Sequence, residues 1–177
     1  MSRFVPLVTA LLVLSVGCGS PPSLLGAGPT AAFITTSGPM PAVSGPGLTG
    51  GAIGPTTYRG KVVVVNFWNY DCPPCKAEQP LLQSVWDHLR GRGVVVLGVM
   101  YVGGNWPGDP AAARDYLREH GVTYPTLMDG GSELAQALGI VGIPTTIVAD
   151  RSGHLRDKIV GQVHGDELET LVARLAG

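Results

Sequence analysis

The sequence predicts an α/β fold in which helices cover both faces of a mixed sheet. Two apolar runs, residues 61–68 and 94–100, flank a helical pattern that starts near Pro73. A strand–helix–strand order of this length implies parallel strands and a right-handed crossover. Two later strands joined by the short turn at residues 151–153 must instead pair antiparallel. Parallel and antiparallel pairs together require a mixed sheet.

The individual elements follow from periodicity and punctuation. Apolar residues at three- and four-residue spacing predict a helix over 73–90, with Pro80 inside it. Gly91 and Gly93 should end this helix. The remaining expected elements are a loop at 103–108, a helix at 109–120, a strand at 126–129, a helix at 131–138 with Ser132 as N-cap, strands at 144–150 and 155–161, and a helix at 166–175.

Composition narrows the class of protein. The 177 residues are 45% hydrophobic and 14% charged, with a net charge of −1. This is enough chain for one ordinary domain and an additional segment. A charge near zero without any basic run argues against a nucleic-acid partner or an electrostatic membrane surface.

The N-terminus has the features of an export signal. Arg3 precedes an apolar run that is too short to span a bilayer, so residues 1–17 are predicted to be a signal peptide. Small residues directly before Cys18 resemble a bacterial lipobox, although Ser15 stands where leucine is usual. We therefore expect Cys18 to carry a lipid anchor, with a plain secretory signal as the alternative. In both cases the domain is extracytoplasmic, either on the cell membrane as a lipoprotein or free and secreted or periplasmic.

Residues 19–57 contain no charged side chain and are rich in Gly, Pro, Ser, Thr and Ala. Such a composition buries too little apolar surface to offset the entropy of ordering, so residues 18–39 are predicted to be a flexible tether. The folded domain should then extend over residues 40–177. At its start, residues 41–43 and 52–53 are expected to form a β-hairpin extension.

Cys72 and Cys75 form the candidate reactive site. Cys72 falls at the predicted start of a helix, where free N–H groups and the positive end of the helix dipole favour a thiolate. Cys75 lies one turn further on, within disulfide reach. A Cys-X-X-Cys between a buried strand and a helix is typical of a dithiol redox motif. With Cys18 assigned to the anchor, one redox pair remains.

Several motifs in the expected order resemble the TlpA/ResA-like thiol–disulfide oxidoreductases of the thioredoxin fold. The matching segments are residues 60–61, 65–68, 72–75, 142–146 and 150–153, together with Glu78 and Pro80. The resemblance implies a thioredoxin-like three-layer α/β/α sandwich. It also implies a cis peptide at Ile143–Pro144 beside the dithiol. A substrate groove would then be lined by Trp68, Pro73, Pro74, Ile143 and Pro144.

The resemblance implies a role for one acidic residue. Glu78 matches an acid that assists proton transfer with the dithiol, whereas Asn66 stands where thioredoxin has a buried acid. We therefore expect Glu78 to accept the proton of Cys75. The alternative is a solvated glutamate in the first turns of the helix.

Disulfide exchange is the expected chemistry. The Cys72 thiolate attacks a partner disulfide, and Cys75 resolves the mixed disulfide to leave Cys72–Cys75 oxidised. Pro73 and Pro74 remove two N–H groups near the Cys72 sulfur, and Asp71, where the family commonly has an aromatic residue, adds a negative charge. Both features oppose thiolate formation, so a reducing couple is predicted.

The expected partners are exported proteins that contain disulfides, with apocytochrome c first because it is the family's best-attested substrate. A membrane or extracytoplasmic thiol donor would recycle the dithiol. No cofactor is expected beyond the Cys72–Cys75 disulfide, and the protein should be a monomer.

Two alternative functions stay open, namely an oxidase that forms disulfides and a copper-binding module or metallochaperone that uses the Cys pair. A structural zinc site needs four ligands, which the sequence does not offer.

Overall fold

The computed structural model describes residues 31–177. The predicted signal peptide, Cys18 and the first part of the predicted tether lie outside the described residues. No helix within residues 31–177 has the length and apolar character needed to cross a membrane.

A six-stranded sheet forms the centre of the domain. Its strands, from one edge to the other, are β1 (Ala32–Thr35), β8 (Leu155–Val160), β7 (Thr145–Ala149), β4 (Val62–Trp68), β5 (Val94–Tyr101) and β6 (Thr126–Asp129). β4, β5 and β6 are mutually parallel, whereas β7 is antiparallel to both β4 and β8. The prediction of a mixed sheet is therefore confirmed.

Helices cover both faces because successive side chains of each strand point in opposite directions. Val62, Val64 and Trp68 of β4 face one core. Three helices complete that core, namely α2 (Pro73–Leu89), α3 (Pro110–Glu119) and α5 (Glu167–Ala176). The alternate residues of β4 face a second core with the short helices α1 (Pro55–Tyr58) and α4 (Glu133–Ala137). These layers make the predicted three-layer α/β/α sandwich.

The domain begins earlier than residue 40. β1 pairs with β8 over four residues, from Ala32 opposite Val160 to Thr35 opposite Asp157. Thr36 continues the pairing, because its N–H donates to the carbonyl of Arg156 at 2.9 Å. Residues 32–35 therefore belong to the sheet, and the boundary expected at residue 39 differs from the structure. Main-chain pairing holds this segment although its side chains are exposed.

The β-hairpin extension is present, but its first strand differs from the prediction. β2 (Gly45–Pro46) pairs with β3 (Ala52–Ile53). Val43, which we expected in the hairpin, is instead buried in the second core, where its N–H donates to the Tyr58 hydroxyl at 2.7 Å. Side-chain burial and a distant hydroxyl therefore replace strand pairing at this residue.

Ser132 occupies the N-cap position of α4 as predicted, but its side chain does not cap the helix. Ser132 directly precedes α4, but its φ is 57° and its side chain makes no cap hydrogen bond. Its hydroxyl donates to the carbonyl of Val102. The carboxylate of Asp129 instead accepts from the N–H groups of Leu134 (3.3 Å) and Ala135 (2.9 Å).

Candidate active site

The two cysteines lie at the start of α2, which a short loop connects to the end of β4. They are joined by a disulfide, and Cys72 is the N-cap residue of the helix. The Cys75 N–H donates to the Cys72 sulfur at 3.2 Å. Pro73 and Pro74 occupy the first helical positions, where they have no N–H to offer. Both cysteines are buried and both prolines are exposed, so the prolines form the outer surface of the motif.

Asn69 holds the loop that precedes the disulfide, and sequence analysis missed it. Its carbonyl accepts from the Cys72 N–H at 3.1 Å, and its side-chain oxygen accepts from the Asp71 N–H at 3.0 Å. The side-chain nitrogen donates to the carbonyls of Tyr101 and Pro107, both at 2.9 Å. Asn69 is fully buried, so it links the dithiol loop to the loop after β5. An asparagine next to an aromatic residue gives no periodic signal by which to find it.

The loop at residues 103–108 therefore belongs to the surroundings of the site. Gly103 and Trp106 form an isolated β-bridge within it. Trp106 is half-buried and packs against the core that contains both cysteines. Trp68, predicted to line the groove, is almost fully buried beneath the site, and its ring centroid lies 5.6 Å from that of Tyr116.

The Ile143–Pro144 peptide is cis, as the resemblance implied. β7 begins at the next residue, Thr145, which lies opposite Phe67 near the end of β4. This register places Pro144 at the same end of the sheet as the start of α2. Pro144 is buried, whereas Ile143 is half-buried and packs against both cores. The structure therefore brings the predicted groove residues to one end of the sheet.

Glu78 lies one turn after Cys75 and is 1% exposed, so it is not the solvated glutamate of the alternative interpretation. Its Oε1 accepts from the Asn66 side-chain nitrogen at 2.7 Å, and its Oε2 accepts from the Val163 N–H at 3.0 Å. Burial raises the pKa of Glu78 to about 7, and the hydrogen bonds from Val163 and Asn66 oppose this rise. The carboxyl group can therefore gain or lose a proton near neutral pH.

A second buried polar pair lies beside Glu78. The Tyr124 hydroxyl donates to the side-chain oxygen of Gln79, and both residues are buried. Burial, followed by the negative charge of Glu78, raises the pKa of Tyr124 well above its ordinary value. Tyr124 therefore stays neutral, and sequence analysis did not anticipate this pair.

The described part of the chain, residues 31–177, contains no cluster of three or more His, Cys, Asp or Glu side chains arranged to hold a metal ion. The thiol ligands in this part are Cys72 and Cys75, and here they bind each other.

The six-stranded mixed sheet, the cis-proline and the helix-capping disulfide together define a thioredoxin-fold protein with a Cys-X-X-Cys site. The family model described as the AhpC/TSA family matches residues 37–158. The chain belongs to this family.

Two curated relatives and one solved structure show the nature of the similarity. The thiol-disulfide oxidoreductase ResA of Geobacillus thermodenitrificans is 29% identical over 115 residues, which are 64% of this chain and 63% of that protein. The thiol:disulfide interchange protein HelX of Rhodobacter capsulatus is 34% identical over 108 residues, 60% of this chain and 56% of that protein. The chain thus spans less than two thirds of these relatives.

The solved structure is a thiol:disulfide interchange protein of the thioredoxin family from Chlorobium tepidum. It shares 30% identity and a TM-score of 0.67, with 78% of this chain and 96% of that chain covered. The resemblance to TlpA/ResA-like proteins and the thioredoxin-like fold are therefore confirmed.

Proposed function

We propose that the protein is a thiol–disulfide oxidoreductase that exchanges its Cys72–Cys75 dithiol with disulfides of extracytoplasmic proteins. The observation that carries this proposal is a disulfide at the N-terminus of α2 with a buried carboxyl group one turn further along the helix. The names of the relatives agree with this chemistry.

The proposed reaction starts from the reduced dithiol. The Cys72 thiolate attacks one sulfur of the partner disulfide, and the other partner sulfur leaves as a thiolate. Cys75 then transfers its proton to Glu78 and attacks the Cys72 sulfur, which releases the second partner sulfur. The partner gains two electrons and the Cys pair loses two. Residues three apart on a helix share a face, so Glu78 is placed to serve Cys75.

The groups around Cys72 favour the reducing direction. The helix dipole and the Cys75 N–H stabilise a Cys72 thiolate, but Pro73 and Pro74 contribute no donors. Asp71 is exposed and adjacent, and its charge opposes the thiolate. A less stabilised thiolate means a more reducing couple, so we expect a potential nearer about −270 mV than about −120 mV. A value more oxidising than roughly −170 mV would reverse the proposed direction.

We further propose that the protein is exported, that Cys18 anchors it to the membrane through lipid, and that an extracytoplasmic thiol donor recycles it. The partner proposed first is an apocytochrome c, by resemblance to the family. A Cys18→Ala variant should move the protein from the membrane fraction to the soluble fraction. Retention of this variant in the membrane fraction would contradict the lipid anchor, while the exchange proposal would stand.

Trapping of the mixed disulfide tests the exchange reaction. A Cys75→Ala variant cannot resolve the intermediate, so it should accumulate covalent complexes through Cys72 that thiol reductants release. Cys72→Ala is the matched control and should capture far less. Mass spectrometry of the released proteins identifies the partners, and equal capture by the two variants would contradict the assigned roles.

Gene deletion distinguishes the direction of electron flow. A reductant for apocytochrome c should lower cytochrome c content on deletion, whereas an oxidase should lower the disulfide content of secreted proteins. A copper titration of the reduced protein tests the metallochaperone alternative directly.

A further inference from the structure

The buried side chain of Asn66 in β4 joins Glu78 to Thr146. Its Nδ2 donates both hydrogens, one to Glu78 Oε1 at 2.7 Å and the other to Thr146 Oγ1 at 3.0 Å. Its Oδ1 is buried and has no hydrogen-bond partner among residues 31–177. Buried acceptors are nearly always satisfied, so an unpaired amide oxygen beside a titratable acid calls for an explanation.

This pattern fits the ionised form of Glu78. A carboxylate only accepts hydrogen bonds, and here each of its oxygens receives one donor. When the carboxyl group takes up a proton, one oxygen becomes a donor. Oε2 faces the N–H of Val163, a main-chain donor that cannot become an acceptor. The proton therefore belongs on Oε1, where the Asn66 Nδ2 would oppose it.

Rotation of the Asn66 amide removes the conflict at Glu78 Oε1 and places Nδ2 at the buried position that Oδ1 holds in the ionised form. A turn of about 180° exchanges Oδ1 and Nδ2 with little change of shape. Oδ1 then accepts from the protonated Glu78, and the Thr146 hydroxyl can turn to donate to the same oxygen because a hydroxyl both donates and accepts. Apart from this exchange of Oδ1 and Nδ2, the heavy atoms stay in place while one proton is added at Glu78 Oε1.

We propose that Asn66 is a two-state positioning residue, whose amide donates to the Glu78 carboxylate and reverses to accept from the protonated Glu78. The functional role of this reversal depends on the proposed exchange reaction, in which Glu78 accepts the proton of Cys75 and later releases it. Asn66 holds Glu78 in one position in both states, so proton transfer needs no displacement of the acid.

Among residues 31–177, few titratable groups face this pocket. Cys75 precedes Glu78 on α2, and in the disulfide form neither cysteine titrates. Tyr124 interacts electrostatically with Glu78 but is held neutral by burial. Asn66 of β4, Thr146 of β7 and the main chain of Val163 contribute no charge, and His164 beside Val163 is exposed. In the oxidised protein, a titration of this pocket near neutral pH therefore reports Glu78.

The experiment follows Asn66 and Glu78 by NMR in the isotope-labelled, oxidised protein from about pH 5 to about pH 9. We expect the Asn66 side-chain amide resonances to shift with the same midpoint as the Glu78 carboxyl carbon. Cross-peaks between the Asn66 amide protons and the Thr146 β-proton should be strong above that midpoint and lost below it. Cross-peaks that persist unchanged across the titration would overturn the proposal.

Two variants complete the test. Glu78→Gln removes the titrating group, so the Asn66 amide resonances should become independent of pH, and a remaining transition would contradict the proposal. Thr146→Val removes the other partner, and the shared midpoint of Asn66 and Glu78 should survive. None of these measurements depends on disulfide exchange. Failure of the Asn66 proposal is therefore distinguishable from failure of the trapping experiment.

Discussion

Cys72 experiences two opposing electrostatic influences. The start of α2 stabilises a thiolate, whereas the charge of Asp71 disfavours it. We predict that Asp71→Asn lowers the Cys72 pKa by several tenths of a unit to about 1 unit. The reduction potential of the Cys72–Cys75 couple should become less reducing by roughly 10–30 mV. Thiolate absorbance against pH and equilibration with glutathione measure the two quantities.

Asp87→Asn is the matched control for the Asp71 variant. Asp87 is an exposed carboxylate on the same helix. Fifteen residues of helix place it about 22 Å from Cys72, well beyond the Debye length of about 10 Å. Its removal should leave both quantities unchanged. An equal response to the two variants would show that net charge, and not the position of Asp71, sets the Cys72 pKa.

Glu78 is predicted to control the pH dependence of exchange. Burial raises its pKa to about 7, so its carboxylate form, which can accept the Cys75 proton, is lost as the pH falls through that value. In Glu78→Gln, resolution of the mixed disulfide should slow by about 10²-fold or more above this pH. The change of the resolution rate with pH near neutrality, which the titration of Glu78 causes, should be absent from the variant. Stopped-flow measurement of resolution checks this, and an unchanged profile would exclude Glu78 as proton acceptor.

At the scale of the elements, Asn69 connects the dithiol loop to the loop after β5. Asn69→Ala would remove three side-chain hydrogen bonds and leave the carbonyls of the half-buried residues Tyr101 and Pro107 without this donor. We predict a loss of about 2–4 kcal/mol in the free energy of unfolding. Denaturant unfolding measures this loss. Hydrogen exchange at the Asp71 N–H should also accelerate, because its acceptor is gone.

Asn105→Ala provides the comparison for Asn69. Asn105 lies in the loop after β5, which Asn69 contacts, but Asn105 is exposed. Its replacement should change stability by less than about 0.5 kcal/mol. If both variants lost the same stability, the hydrogen bonds of Asn69 would not be what holds the two loops together.

The elements predicted correctly are those with a strong local pattern. The valines of β4 and β5 are buried, as expected for continuous apolar runs. Leu82, Val85 and Leu89 of the apolar stripe of α2 are buried as their periodicity indicates. β1 could not be found in this way, because its four residues are exposed and pair through the main chain with a strand more than a hundred residues later. Asn69 was missed because its acceptors on Tyr101 and Pro107 lie 32 and 38 residues later. The Asp129 cap was missed because its carboxylate lies five and six residues before the N–H groups that donate to it.

The candidate site was predictable where residue type alone specifies chemistry. Cys72 and Cys75 carry such a signal, and resemblance supplied Glu78 and the cis peptide before Pro144. The surroundings of Glu78 come from distant segments: Asn66 and Val163 donate hydrogen bonds to it, and Tyr124 interacts electrostatically with it. No local pattern relates these positions, so the state of the acid required the structure.

At the scale of the whole molecule, the buried acid makes stability depend on pH. The folded protein raises the Glu78 pKa from an ordinary value of 4.5 to about 7. Between these values the folded state binds more protons than the unfolded state, so stability falls as the pH rises through this window. The loss amounts to about 3 kcal/mol and is complete by about pH 8.

Glu78→Gln tests this linkage because glutamine is neutral at every pH. The free energy of unfolding of the oxidised protein should decline between about pH 5 and about pH 7, and the variant should lack that decline. Other groups titrate equally in both proteins, so the difference between the two curves isolates Glu78. At about pH 8 the variant should be the more stable protein, since it no longer buries a charge there. Parallel curves would show that Glu78 keeps its ordinary pKa in the folded state, and the assignment of a neutral-pH proton acceptor to this site would then fail.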